Sequence, residues 1–227
     1  MDIREVLGKR RLFLDGGTGT SLQKMGLKAG ERPETWNLLH PERIEALHRA
    51  YLDAGADVIY TNTFGANRLK YPADGEFELE DIVKSAVDIA KRAQIACGRE
   101  GDSWVALDIG PSGKLLKPLG DLDFEDAVSL FAEVVRCGAA AGADLVVVET
   151  MGDSYELKAA VLAAKENSEL PVIATAAFDE RALCRFWGKI CCRWARFCPW
   201  RRSAGSMTKS GRHSPISRSC WVWSPLP

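Results

Sequence analysis

Residues 182–227 contain no aspartate or glutamate. They hold nine of the 30 Lys and Arg of the 227-residue chain, and none of its 31 acids. Residues 1–181 are left with 21 basic against 31 acidic side chains, a net charge of −10 facing +9 in the tail. An asymmetry of this kind ordinarily marks a nucleic-acid or membrane arm. Disordered arms are poor in Trp and Cys, however, and five of the seven Trp and five of the seven Cys fall in this tail.

Cysteine is as scarce upstream as it is dense downstream. Only Cys97 and Cys137 occur before Arg181, both in helical patterns, which excludes a disulfide framework and suits a reducing compartment. No apolar run approaches the roughly 18 residues of a membrane span, and "MDIREVLGKRRLFLDGG" lacks the core of a signal peptide. These absences lead to the expectation of a cytoplasmic protein without membrane association. The first glycine-rich turn, "DGGTGT", lacks both G-x-G-x-x-G spacing and a lysine. It is therefore neither a dinucleotide turn nor a P-loop.

What is present up to Arg181 is a repeating alternation. Short apolar runs ("LFLDGGTGT", "DVIYTNTFG", "WVALDIGPSG", "DLVVVETMG", "LPVIATAAFDE") alternate with four amphipathic stretches. In "PERIEALHRAYLDAGA", Ile44, Leu47, His48 and Tyr51 fall at i, i+3, i+4 and i+7, and Pro41 stands at a natural helix start. Continuously apolar runs such as "LVVVE" suit parallel strands covered on both faces. "AGAD" occurs at 54–57 and again at 141–144, each time closing a helix with glycine and leading into the next strand. The pattern predicts an α/β fold of the TIM (β/α)8-barrel type, truncated after about five βα units, over residues 1–181. A doubly wound open sheet is the competing architecture. Residues 182–227 are predicted to be a separate basic tail rich in Trp, Cys and Arg.

In a barrel the C-terminal ends of the strands face one mouth. The chain places there Asp15, Thr18 and Thr20; Thr61, Asn62 and Thr63; Asp108; Glu149 and Thr150; and Asp179. Several carboxylates around one mouth suit a cationic group such as an α-ammonium, or a metal. The backbone N–H groups of Gly16, Gly17, Thr18 and Gly19 can accept a carboxylate. Together they fit the head group of an amino acid. The plainer reading is that Asp and Thr at strand ends cap the following helices. His48, on an apolar stripe, reads as a core histidine and His40 as a loop residue, while Trp36 either lines the mouth or packs beneath its loop.

"LDGGTGTSLQKMG", "GADVIYTNTFGANRLK", "LDIGPSGKLLKPLG" and "VVETMGDSYELKAAVLAAKE" together resemble the homocysteine S-methyltransferase domain, over about residues 10–181. That domain forms the N-terminal barrel of cobalamin-dependent methionine synthase and also stands alone in related thiol methyltransferases. The resemblance implies methyl transfer to the zinc-activated thiol of homocysteine, giving methionine. It implies that the turn of Asp15, Gly16, Gly17, Thr18, Gly19 and Thr20, with Glu149, holds the amino-acid end of the substrate. Asn62 and Asp108, with Asp15, would shape the floor. Cobalamin or methylfolate could enter through partner domains, and betaine and S-methylmethionine serve other relatives, so the methyl donor stays open.

The family's zinc is held by cysteines of an Asn-Cys and a Gly-Gly-Cys-Cys motif, and here the chain departs from its relatives. After "AAFDER" it reads "ALCRFWGKICCRWARFCPWRR". Cys191 and Cys192 follow Lys-Ile rather than Gly-Gly and sit just past the fifth strand, so they are not assigned as metal ligands, and no catalytic residue is assigned. The abrupt loss of acids with a surplus of Trp and Cys predicts a change of reading frame rather than a module. On that reading the chain is an inactive fragment, prone to associate through unpaired barrel edges. Two alternatives remain from the sequence: a small-molecule or nucleic-acid binding protein using the half-barrel and the basic tail, and a barrel enzyme with a metal on Asp108 and Glu149.

Overall fold

In the computed structural model the described residues are 2–177 and the backbone of 219–222. Asp179, Cys191 and Cys192 lie outside them. Two short helices, α1 (Thr18–Lys24) and α2 (Trp36–Leu39), lead into a regular alternation. This runs α3 (Pro41–Asp53), β1 (Val58–Tyr60), α4 (Leu79–Ala96), β2 (Trp104–Ile109), α5 (Phe124–Ala140), β3 (Leu145–Met151), α6 (Ser154–Asn167) and β4 (Val172–Ala177). A short β5 (Ser219–Val222) is last in the sheet order β1-β2-β3-β4-β5. The pairs β1–β2, β2–β3 and β3–β4 are all parallel, as the apolar runs predicted.

The first predicted strand is shorter than expected. "LFLDGG" contributes one parallel bridge, Leu14 to Val58, rather than a strand. Its apolar run is three residues long and stops at Asp15 and two glycines. The Phe13 carbonyl accepts the N–H groups of Asp57 (2.7 Å) and Val58 (3.1 Å), and Asp15 N–H donates to the Val58 carbonyl (3.0 Å). The segment therefore lies beside β1 where a first strand belongs.

Each "AGAD" is a helix stop joined to a clamp. Gly55 and Gly142 take φ of 95° and 91°, the left-handed conformation that ends a helix without steric cost. The following Asp then reaches back to the preceding strand. Asp57 Oδ2 accepts Phe13 N–H (2.8 Å) while its Oδ1 accepts Arg10 (2.8 Å). Asp144 Oδ2 accepts both Val105 N–H (2.7 Å) and Lys91 Nζ (2.7 Å).

Side-chain alternation divides the core into two layers. Ile59, Val105, Leu107, Val146 and Val148 face the helices and pack with Leu79, Ile82, Val83, Phe131 and Val135. Val58, Tyr60, Trp104, Ala106, Leu145 and Val147 face the other way and pack together, with Ile3 of the N-terminal turn among them. Helices along one face with apolar residues on the other is the arrangement of a barrel wall rather than of a one-sided sheet. Each large aliphatic side chain buried in this way contributes about 1.5–3 kcal/mol. Among the described residues no helix is long and apolar enough to cross a membrane.

Two aromatic and histidine positions are settled by packing. Trp36 is buried with Leu22, Leu27, Ile44 and Leu47, with the Arg43 guanidinium 5.1 Å above its ring; it supports its loop from below. His48 is buried in α3 with neither ring nitrogen hydrogen-bonded. Burial alone lowers its pKa to about 4, so it stays neutral.

Candidate functional site

The inner face of the sheet turns polar at its C-terminal end. Asp108 and Glu149 extend the inward-facing rows of Trp104–Ala106 on β2 and Leu145–Val147 on β3, and Asp15 joins them from the segment beside β1. Asp108 is 6 % exposed, and its Oδ1 is buried without a hydrogen-bond partner. Burial, followed by the charges of Glu149, Asp15 and Glu34, raises its pKa well above the carboxylate range. Burial raises Asp15 to about 7, against the Tyr60 N–H bond that lowers it, and the Glu149 charge adds to the rise. Glu149 is raised by burial as well. The sequence-predicted acids of three strand ends thus feel one another.

The backbone beneath Asp108 is fixed by two threonines of the β1 loop. Asp108 N–H donates to Thr61 Oγ1 (3.1 Å), and Thr63 Oγ1 donates to the Asp108 carbonyl (2.7 Å). The single Thr63 hydroxyl proton is thereby used, so across the 2.7 Å Thr61–Thr63 contact the Thr61 hydroxyl is the donor. Every proton in this ring has one place to go. "TNT" is in this respect a bracket for the neighbouring strand.

Asn62, expected on the floor, is brought to the mouth, but both its amide hydrogens are spent on the protein. Nδ2 donates to the Pro33 carbonyl (2.8 Å) and to Asn37 Oδ1 (2.9 Å), while Asn37 Nδ2 returns a bond to the Asn62 carbonyl (2.9 Å). The pair ties down the 3-10 turn Pro33–Thr35, which carries a carboxylate the sequence reading missed. Glu34 is buried and accepts Gly65 N–H (2.7 Å) and the Tyr71 hydroxyl (3.0 Å). A Cβ on Gly65 would lie 2.4 Å from Glu34 Oε1, so only glycine permits that approach. "ERPETWN" offers no sign of this, since Glu34 reads as one more loop acid.

Glu149 lies in a bulge. Between Val148 and Met151, β3 runs one residue ahead of β4, whose partners are Ala174 and Ala176. Thr150 occupies φ 59°, a conformation that β-branched residues rarely adopt. Its N–H donates to Thr175 Oγ1 (3.1 Å). Bulges of this kind bend the strand and alter the local side-chain directions.

The turn Gly16–Thr20 becomes the start of α1, with Gly17 as its N-cap. Thr20 Oγ1 (3.2 Å) and Ser21 Oγ (2.9 Å) donate back to the Gly17 carbonyl, so Thr20 is engaged locally. The first N–H groups of α1 have no partner within the helix. They lie just after Asp15 in the chain.

The zinc that the resemblance implies does not fit the described residues. Its activation of a thiol needs several soft donors around one point. Cys137 lies in α5 and Cys97 caps α4. Burial first, and acids nearby, raise the thiol of each, the opposite of what a metal ligand requires. Among the described residues no group of three His, Cys, Asp or Glu is arranged to hold a metal ion, Asp108 and Glu149 included.

The sequence pattern of the family described as homocysteine S-methyltransferase matches residues 12–187. The methionine synthase of Mycobacterium leprae is 32% identical over 178 residues, covering 72% of this chain and 14% of that protein. The methionine synthase of Mycobacterium tuberculosis is 30% identical over 192 residues, 76% of this chain and 16% of its own length. The chain thus spans about one seventh of the curated relatives it matches. Two crystal structures of the homocysteine methyltransferase MmuM from Escherichia coli, metallated and oxidised, share the fold. Their TM-scores are 0.65 and 0.66 at 22% and 23% identity, over 75% of this chain and 64% and 63% of theirs. The family match and these relatives lead to one assignment: the chain belongs to the homocysteine S-methyltransferase family.

Proposed function

We propose that residues 2–177 form the part of a homocysteine S-methyltransferase barrel that binds the amino-acid end of homocysteine. The observation that carries this reading is the convergence of Asp15, Asp108 and Glu149, each held above its ordinary pKa. One buried and two half-buried acids that repel one another are stabilised by an incoming positive charge. An α-ammonium supplies one charge and three N–H donors. By the family resemblance, the turn Gly16–Thr20 is the element that would take the α-carboxylate. Asn62, Thr61 and Thr63 position the site without touching the substrate.

This half of the chemistry binds and orients; it does not activate the thiol. Thiolate donors for a zinc ion would come from outside the described residues, so these residues alone are expected to bind homocysteine without methylating it. The whole reaction, the methyl donor and any cobalamin or methylfolate partner belong to that larger assembly.

Calorimetric titration of the chain with homocysteine, 3-mercaptopropylamine (no carboxylate) and 4-mercaptobutanoate (no ammonium) tests the reading. Homocysteine should bind best and 4-mercaptobutanoate at least tenfold more weakly. Equal binding of homocysteine and 4-mercaptobutanoate would remove the ammonium site. Methionine formed by the chain with zinc and S-methylmethionine would show that binding is not its whole role.

A further inference from the structure

Among the mouth's polar groups, two buried oxygens are left without any hydrogen bond among the described residues: Asp108 Oδ1 and Tyr60 Oη. Their neighbours are engaged. Thr61 and Thr63 bond to the Asp108 backbone, Asn62 bonds to Pro33 and Asn37, and Asp15 Oδ2 accepts the Tyr60 N–H at 2.8 Å. Tyr60 is 8 % exposed and its ring lies in the inner-face cluster with Val58, Trp104, Ala106 and Leu145. Phenylalanine would fill that space equally well. A buried hydroxyl left unbonded costs about 1–3 kcal/mol, and such groups are few in folded proteins unless something else satisfies them.

The two side chains stand on adjacent strands of the same face. Tyr60 pairs with Ala106, so Asp108 lies two residues further along the adjacent strand on the same inner face. With strands about 4.8 Å apart and a rise of about 3.3 Å per residue, such diagonal neighbours are roughly 8 Å apart at the backbone, within reach of an aromatic side chain. The phenol also lies within the field of Glu149, Asp108 and Asp15, which with burial keeps it protonated. It can therefore accept an N–H on a lone pair while its own proton turns to a carboxylate.

We propose that Tyr60 Oη and Asp108 Oδ1 accept two N–H donors of a bound primary ammonium, which makes Tyr60 a specificity-determining residue that selects unmethylated amines. The proposal rests on the amino-acid-binding reading above. An ammonium held by Tyr60, Asp108 and a third acceptor such as Glu149 has all three hydrogens in use. An N-methyl group removes one donor and puts a methyl where an acceptor waits.

The test compares L-homocysteine and N-methyl-L-homocysteine, by calorimetric titration, on the wild-type chain and on Tyr60→Phe. The wild type is expected to prefer the primary amine at least tenfold. Tyr60→Phe should weaken homocysteine about three- to tenfold, the usual effect of one lost hydrogen bond, while leaving the N-methyl compound within about twofold. A packing defect would weaken both ligands together, and that outcome, like an unchanged preference in Tyr60→Phe, overturns the proposal for Tyr60 while the amino-acid site stands. Absence of homocysteine binding to a folded wild-type chain, checked by circular dichroism, overturns the site and the proposal together.

Discussion

The backbone N–H of Thr150 donates to Thr175 Oγ1 at 3.1 Å, and this bond ties a threonine at φ 59° to the neighbouring strand. It holds the bulge from which Glu149 projects. Thr175→Val keeps the shape and removes the acceptor; it should cost about 1 kcal/mol of stability and weaken homocysteine binding about three- to tenfold. Thr175→Ser should restore both. Urea unfolding and calorimetry on the two variants decide the matter, and equal binding by Val and wild type would leave Glu149 independent of the bond.

Asp15 and His48 should tilt stability with pH in opposite directions. Unfolded Asp ionises near pH 3.9 but folded Asp15 only at about 7, so between these values the folded state holds the extra proton. Its contribution is fullest below pH about 4 and declines as pH rises to about 7. Asp108 and Glu149, also raised, have the same sign. His48 is the reverse: the unfolded ring protonates near 6.5 and the folded one at about 4. Its stability is full above about 6.5 and lost as pH falls toward 4. Relative to wild type, Asp15→Asn should gain stability progressively from pH 4 to 7, and His48→Met from pH 6.5 down to 4. Urea midpoints across pH 4–8 measure both; curves parallel to wild type would contradict the assignment.

The two "AGAD" aspartates should prove structural. Asp144→Ala deprives the buried Val105 N–H of its acceptor at 2.7 Å and Lys91 of its partner. An unsatisfied buried donor costs about 1–3 kcal/mol. Denaturant midpoints should fall accordingly, with homocysteine affinity unchanged, because the residue lies at the opposite end of the strands from the mouth. Asp57→Ala should behave alike through Phe13 and Arg10.

Gly65→Ala tests the Glu34 bracket. The added methyl would meet Glu34 Oε1 at 2.4 Å, forcing the carboxylate off Gly65 N–H and the Tyr71 hydroxyl. A loss of about 1–3 kcal/mol is expected, as for other overpacked sites. A variant as stable as wild type would show that Glu34 has another place to go.

The fold was readable because its signals are periodic. Apolar runs and helical stripes repeat along residues 12–177, and both "AGAD" glycines announced their helix ends. The first strand was overestimated because "LFL" has strand chemistry but only three residues before Asp15-Gly16-Gly17. Asp15, Asp108 and Glu149 stood out at the strand ends because a strand end is marked by the change from apolar to acidic. Asn62 was read as a floor residue, and nothing local reveals that Asn37, 25 positions earlier, takes one of its amide hydrogens. Glu34, Tyr60 and Thr175 escaped for the same reason. Each acquires its meaning from a partner on another strand or loop, and Tyr60 looks like any strand aromatic until its hydroxyl is found unbonded.

The sheet order β1-β2-β3-β4 repeats the order of the chain. Every strand joins the edge its immediate predecessor leaves, so the growth front advances in one direction and never waits for a distant segment. During synthesis each βα pair can settle in register while the next is still being made, and a strand added late need not disturb those already laid down. Along the chain the carboxylates of the mouth are therefore supplied in the order in which the sheet lays out its strands, Asp15 first, Asp108 next and Glu149 last.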